Sequence, residues 1–164
     1  ELPPFSVMKF LVAVVLCLVA AAYCGRPATV TWSNCGSPTD KGNVTKVSWV
    51  PAKPATGENI TFTSTNVLKE TVSGGGFEMT LTLNKIPVFK HHGPVCGYTH
   101  FDLPMGMGQV WFNGLKCPAA PGSHLVADSV TIANSAPSGT TGSKFVFKDQ
   151  SGNQLSCVEL NIKI

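Results

Sequence analysis

The chain has 164 residues, the length of a single domain. Only 13% of its residues are charged, against roughly 25% in an ordinary soluble domain, whereas 43% are hydrophobic. This composition excludes a disordered chain, because such chains are poor in apolar residues and rich in net charge. The net charge of +3, without any basic run, gives no support to a nucleic-acid-binding protein.

The first 24 residues are interpreted as segments that precede the folded domain. A secretory signal peptide is predicted over residues 8–24, since Lys9 is followed by an apolar run and then by the small residues Ala20, Ala21 and Ala22. The run is shorter than the ~20 residues of a membrane span. Residues 1–7 fit no signal pattern and are interpreted as a leader or an expression remnant, which leaves residues 25–164 as the mature domain.

Cleavage after Ala22 or after Cys24 fits the small-residue rule, and cleavage after Cys24 is favoured because it would leave an even number of cysteines in the mature chain. They are Cys35, Cys96, Cys117 and Cys157. Four cysteines in a secreted protein predict two disulfides, and the sequence alone allows three pairings. The sequons at Asn43 and Asn59 are predicted N-glycosylation sites in such a protein.

Beyond a short entry segment at residues 26–35, alternating apolar and polar residues predict short strands separated by turns. The clearest alternation places Phe77, Met79, Leu81 and Leu83 on one face. Weaker alternation occurs around residues 47–49, 60–63, 86–89, 109–112, 125–133, 144–148 and 158–164. No stretch keeps a helical spacing for ten residues, so about seven strands in an all-β sandwich or barrel are predicted.

The residues predicted to face the interior form the candidate binding set. Alternation assigns to it Phe62, Phe77, Met79, Leu81, Leu83, Phe145, Phe147, Leu160 and Ile162. A solid core would give the same pattern, so alternation does not decide between a core and a cavity. The glycine-rich segment 105–112 adds Met107, Trp111 and Phe112, either as an apolar lip at a cavity entrance or as a cap on the core.

A metal site is not expected, although His91, His92 and His100 lie near Cys96. A cysteine that forms a disulfide is lost as a zinc ligand. No other cofactor is implied. Because an unperturbed histidine changes its charge near pH 6.5, these residues predict that ligand exchange or membrane association changes between pH 7 and 5.

An enzyme is not expected either. Ser123 or Ser129 could combine with His124 and Asp128, yet no Gly-x-Ser-x-Gly motif marks a nucleophile. The carboxylates are too sparse to suggest a glycosidase pair. In segment 125–133 the inward face is ambiguous, because Asp128 falls in register with three apolar residues.

The cysteine motifs are informative as an ordered set. They are Asn34-Cys35-Gly36, Val95-Cys96-Gly97, Lys116-Cys117-Pro118 and Ser156-Cys157-Val158. This layout resembles the ML lipid-recognition family of small secreted proteins, which includes the Niemann–Pick type C sterol carrier and the mite group-two allergens. It is most similar to the phosphatidylglycerol/phosphatidylinositol transfer branch, since the tight extra disulfide of the sterol carriers is absent from the sequence.

The resemblance implies an immunoglobulin-like sandwich of two antiparallel sheets with an apolar cavity between them. It also implies the disulfides Cys35–Cys157 and Cys96–Cys117. The function it implies is lipid binding and transfer, with one phospholipid or sterol held by the candidate binding set.

Two alternatives stay open, a lipid-presenting co-receptor or activator and a solid-core structural domain. The expected partners are a lipid ligand, a transient membrane contact and a protein receptor, without nucleic acid, and the protein is expected to be a monomer. The expected location is outside the cell or in the lumen of an endosome, lysosome or vacuole.

Overall fold

A computed structural model describes residues 25–164, so the predicted leader and signal peptide lie outside the described residues. This part of the chain contains ten strands and one 3-10 turn, Pro104–Gly106, between the sixth and seventh strands. The strands are β1 (Thr29–Asn34), β2 (Gly42–Val50), β3 (Asn59–Leu68), β4 (Gly75–Leu83), β5 (Ile86–Pro94), β6 (Tyr98–Leu103), β7 (Gly108–Asn113), β8 (Gly122–Ile132), β9 (Thr140–Asp149) and β10 (Gln154–Lys163). Within residues 25–164 there is no helix long and apolar enough to cross a membrane.

The strands form two five-stranded antiparallel sheets that pack face to face. The first sheet has the order β1-β10-β9-β4-β5, and the second has the order β2-β3-β8-β7-β6. Side chains alternate between the two faces of a strand, so the inner faces of both sheets meet in one apolar layer. The predicted immunoglobulin-like sandwich is confirmed.

Alternation predicted the central strands better than the edge strands. In β4 the residues Phe77, Met79 and Leu81 are buried, as predicted, and their neighbours are not. The entry segment 26–35 instead contains strand β1, and β6 was also not predicted. Each of these two strands ends a sheet and buries a single residue, Val30 in β1 and Phe101 in β6, so neither carries a clear alternating pattern.

The two ends of the sandwich differ in how the sheets are joined. The connections 35–41, 69–74, 95–97, 114–121 and 150–153 meet at one end, here called the disulfide end. Both disulfides lie there, Cys35–Cys157 and Cys96–Cys117, in the pairing that the family resemblance implies. A buried apolar cluster fills this end, formed by Leu68, Val72, Val95, Leu115, Ala119, Val126 and Leu155.

The opposite end, here called the turn end, is built from the connections 51–58, 84–85, 104–107 and 133–139. Asn84 and Lys85 have φ angles of 50° and 70°, as a two-residue type I′ hairpin requires. The Arg26 guanidinium crosses this end and donates hydrogen bonds to Ser138 Oγ at 2.6 Å and to the Ala136 carbonyl. These contacts tie the 133–139 connection to the entry segment, while Ala136 of the same connection is buried in the core.

Candidate functional site

An apolar cavity lies between the two sheets. About 120 Å³ of it is open to the centres of water-sized molecules. This volume is several times the ~30 Å³ that one water molecule occupies in the liquid. Its lining is aliphatic and aromatic, and the polar side chains in it are Ser64, Asn66, Asp128, Thr141, Ser143 and Ser156.

Most of the candidate binding set borders this cavity. The members that do so are Phe62, Met79, Leu81, Met107, Phe112, Phe145, Phe147, Leu160 and Ile162. They come from both sheets, and the inward register of β3, β4, β7, β9 and β10 brings them together. Their contact with a lipid stays a prediction, but their shared position gives that prediction one site.

Two predicted members face inward but do not line the cavity. Phe77 is 2% exposed, and its ring lies 4.5 Å from that of Phe112 on the opposite sheet. Phe77 is therefore packed behind the residues that line the cavity. Leu83 is the last residue of β4 and pairs with Ile86 across the hairpin at the turn end, so the strand ends before this side chain reaches the lining.

The structure places Trp111 on the outer face of the second sheet. Val110 and Phe112 are both buried and line the cavity, so Trp111 between them must face the other way. Its ring lies 5.3 Å from that of His100 on β6. The predicted lip of Met107, Trp111 and Phe112 is therefore not formed. Met107 and Phe112 line the cavity, and Trp111 does not.

Sequence reasoning missed the contribution of β8 to the cavity. This strand lines it with Val126, Asp128, Val130 and Ile132. These are the four residues whose shared register made the segment ambiguous, since a carboxylate is rarely placed on an inward face. The apolar majority sets the face, and Asp128 points inward with it.

Asp128 lies where β7 and β8 separate. Backbone pairing between these strands ends at Trp111 and Ser129. Beyond that point the Asn113 N–H donates to Asp128 Oδ1 at 2.8 Å, and Asn113 Nδ2 donates to the Ala127 carbonyl at 2.6 Å. The carboxylate thus replaces a backbone acceptor at the fork, while burial among apolar side chains raises the pKa of Asp128 to about 7 against the opposing hydrogen bond from Asn113.

Replacing Asp128 with asparagine is expected to stabilise the protein at pH 8. Because the pKa of Asp128 is raised from 3.8 to about 7, the unfolded chain releases the proton near pH 4 and the folded chain only near pH 7. Stability is therefore lost as the pH rises through that window and stays lower above it. The gain in Asp128→Asn has an upper limit of about 4 kcal/mol at pH 8 and vanishes at pH 4.

Urea unfolding of both proteins at pH 4 and pH 8 measures this difference. The matched control is Asp102→Asn, since Asp102 is an exposed carboxylate that accepts a hydrogen bond from Gln109 Nε2 at 2.9 Å. Equal effects of Asp128→Asn at the two pH values would contradict the prediction.

His91 closes the edge of the sandwich between β5 and β6. Its ring stacks on Phe101 of the facing sheet, with the ring centroids 3.8 Å apart. Its Nε2 is buried without a hydrogen-bond partner among residues 25–164. Burial lowers the pKa of His91 and the adjacent His92 lowers it further, so the neutral ring is favoured and this edge loses stability as the pH falls below 6.5.

The remaining predicted positions lie on the surface. Asn43 is exposed on β2 and Asn59 is exposed at the start of β3, so both predicted glycosylation sites are accessible. Cys96 is in a disulfide and His91 is stacked. Over residues 25–164 the structure has no group of three His, Cys, Asp or Glu side chains arranged to hold a metal ion.

Known proteins resemble this chain both in sequence and in fold. The family model for the ML domain matches residues 29–164. A protein of Dictyostelium discoideum with the provisional name phosphatidylglycerol/phosphatidylinositol transfer protein is 28% identical over 159 residues, covering 96% of this chain and all of the relative. The phosphatidylglycerol/phosphatidylinositol transfer protein of Mycosarcoma maydis is 25% identical over 133 residues, covering 80% of this chain and 64% of the relative.

Two solved structures share the fold. Chicken MD-1 complexed with lipid IVa superposes with a TM-score of 0.57 at 13% identity, covering 85% of this chain and 96% of MD-1. A Niemann-Pick type C2 protein from the Japanese carpenter ant superposes with a TM-score of 0.53 at 14% identity, covering 80% of this chain and 96% of the ant protein. At these identities the likeness is one of fold.

Proposed function

Since this chain belongs to the ML domain family, we propose that it binds one lipid between its two β-sheets and carries it between membranes. The observation that carries the proposal is the apolar cavity between the sheets. The names of the relatives in Dictyostelium discoideum and Mycosarcoma maydis refer to phospholipid transfer, which supports a lipid cargo. In this proposal the protein is a carrier and not an enzyme.

The cavity favours the apolar part of a lipid. Each buried methylene group contributes about 0.8 kcal/mol, and a methylene is close in size to a water molecule. At ~30 Å³ per group, a cavity of about 120 Å³ takes about four methylene groups, which corresponds to about 3 kcal/mol of transfer free energy for part of an acyl chain or of a sterol body. Among the described residues that line the cavity none is basic, so a phosphate headgroup would remain outside.

The turn end is the face that we assign to transient membrane contact. Met105 in the 3-10 turn is 63% exposed and Ile86 after the β4–β5 turn is 67% exposed. Both lie at the end where Leu103, Met107 and Ala136 line the cavity. Apolar side chains beside a cavity entrance would allow a lipid tail to leave a bilayer without crossing water.

The proposed location follows from the cysteines. Two disulfides are typical of proteins in oxidising compartments, and we assign the protein to the secretory route, either outside the cell or in an endosomal, lysosomal or vacuolar lumen. A monomer is the proposed state. Presentation of the lipid to a protein receptor is a second candidate, supported by the lipid-bound MD-1 fold.

Mass spectrometry of the protein purified from a secreting eukaryotic host tests the proposal. We expect about one lipid per chain in the extract, and transfer of a fluorescent phospholipid or sterol between vesicles that rises with protein concentration. A delipidated sample should recover the same lipid from vesicles. A lipid-free protein that transfers neither class from any vesicle would overturn the proposed function.

A further inference from the structure

Asp128 is the one ionisable side chain among the residues described as lining the cavity. A carboxylate on an apolar face lowers stability unless its oxygens are paired. Residues that oppose the fold in this way are expected at functional sites. The structural role of Asp128 at the β7–β8 fork uses Oδ1, and that role does not account for the second oxygen of the carboxylate.

The fork between β7 and β8 orients this carboxylate. Asp128 Oδ1 is held by the Asn113 N–H at 2.8 Å, while Oδ2 has no hydrogen-bond donor among residues 25–164. Among residues 25–164, Oδ2 is not one of the fully buried side-chain atoms that lack a partner, so it lies at an accessible surface, and Asp128 lines the cavity. One oxygen is thus fixed by the backbone, and the other is available to a small molecule.

A second polar point lies beside it on the inner face of the second sheet. Asp128 pairs with Phe62 across the β3–β8 ladder, and Ser64 lies at the next inward position of β3. Ser64 Oγ accepts a hydrogen bond from Asn66 Nδ2 at 2.9 Å, which leaves the Ser64 hydroxyl hydrogen free to donate. Ser64 and Asn66 also line the cavity.

From this arrangement we infer that the cavity holds the uncharged part of a lipid and that this part bears a hydroxyl group, whose O–H donates to Asp128 Oδ2. A phosphate inside the cavity would face this carboxylate without a basic side chain in the described lining, and like charges repel, so a charged headgroup stays outside. A buried ammonium would lose several kcal/mol of hydration. A hydroxyl has neither cost, and it satisfies the free acceptor. This inference rests on the proposed function and names the class of lipid within it.

Matched pairs of ligands test the inference. The probes are cholesterol with its 3-methyl ether, and hexadecanol with its methyl ether, each measured by transfer of radiolabelled ligand from vesicles to the delipidated protein. An ether keeps the oxygen acceptor but cannot donate. The assay is run at pH 8.5, because the pKa of Asp128 is raised to about 7 and a protonated Oδ2 would donate to the alcohol and the ether alike. We expect the wild-type protein to favour the alcohol over the ether by about tenfold in at least one pair, and the pair that responds identifies a sterol or an acyl chain as the source of the hydroxyl.

The variant Asp128→Asn changes the free group. Its amide oxygen can still accept from Asn113, which turns the NH₂ toward the ligand, so the alcohol-to-ether ratio is expected to fall to about one. The control Ser129→Ala lies next in sequence, where its hydroxyl contacts Thr61 Oγ1, and it should keep the wild-type ratio. The wild-type ratio needs no variant, so the test does not depend on the folding of Asp128→Asn.

The possible results distinguish failure of this inference from failure of the proposed function. Equal binding of alcohol and ether in both pairs, with phospholipid transfer intact, would overturn the inference and leave the proposed function standing. An unchanged ratio in Asp128→Asn would also overturn it. Failure to bind any of the four probes or a phospholipid would overturn the proposed function itself.

Discussion

Replacing Leu160 with tryptophan is expected to abolish most lipid binding while the ligand-free protein stays folded. Leu160 lines the cavity and is only partly buried, so part of its surface borders empty space. If the indole displaces roughly three methylene groups at about 0.8 kcal/mol each, affinity falls about 50-fold. Vesicle transfer of a fluorescent lipid and thermal unfolding of delipidated protein measure the two effects.

Two further variants serve as controls for Leu160→Trp. Asn161→Trp puts the same side chain on the outer face of β10 and should leave transfer unchanged. Phe77→Trp enlarges an inward side chain that is packed behind the lining and 2% exposed, and overpacking typically costs about 1–3 kcal/mol. A large stability loss in Leu160→Trp, equal to that of Phe77→Trp, would show that Leu160 is close-packed and that this part of the interior is a solid core.

Removing the Cys35–Cys157 disulfide, by changing both cysteines to alanine, is expected to cause the largest stability loss. The bond closes 122 residues, and the chain-entropy model gives a contribution on the order of 4–5 kcal/mol for a loop of that length. Domains of this size are stable by only about 5–15 kcal/mol. The double variant should therefore be marginally folded, and guanidinium unfolding under oxidising conditions measures the loss.

The second disulfide is the internal comparison. Cys96–Cys117 closes 21 residues, which corresponds to about 3 kcal/mol in the same model. The variant with both Cys96 and Cys117 changed to alanine should therefore unfold at a higher guanidinium concentration than the Cys35/Cys157 variant. The reverse order would show that local packing at the disulfide end, and not loop closure, determines the contribution.

Most of the fold could be predicted because the central strands each bury one face. β4 buries alternate side chains against the other sheet, so its sequence alternates, whereas β10 buries four consecutive residues, 155–158, and alternates only beyond them. The edge strands β1 and β6 could not be found in this way, since each buries one residue. The disulfide pairing came from the family resemblance, because four cysteines allow three pairings by sequence alone.

The cavity could be predicted only as a set of inward residues. Alternation fixes which way a side chain points, but not how far apart two sheets lie, so a packed Phe77 and a lining Met79 have the same sequence signal. Trp111 was misassigned because it was grouped with Phe112 by composition, although adjacent residues of a strand face opposite sides. The sequence shows that Asp128 shares one face of its strand with three apolar residues. Asp128 points inward because these three residues determine which face is buried.

The two sheets are joined by more connections at one end of the sandwich than at the other. The β1–β2, β3–β4 and β5–β6 connections cross between the sheets at the disulfide end, where both cystines lie, whereas the 133–139 connection crosses at the turn end under the Arg26 hydrogen bonds. An entering ligand is therefore expected to separate the sheets more at the turn end than at the disulfide end. Such a separation would strain the backbone hydrogen bonds between residues 26–28 and 54–56 together with the Arg26 contacts.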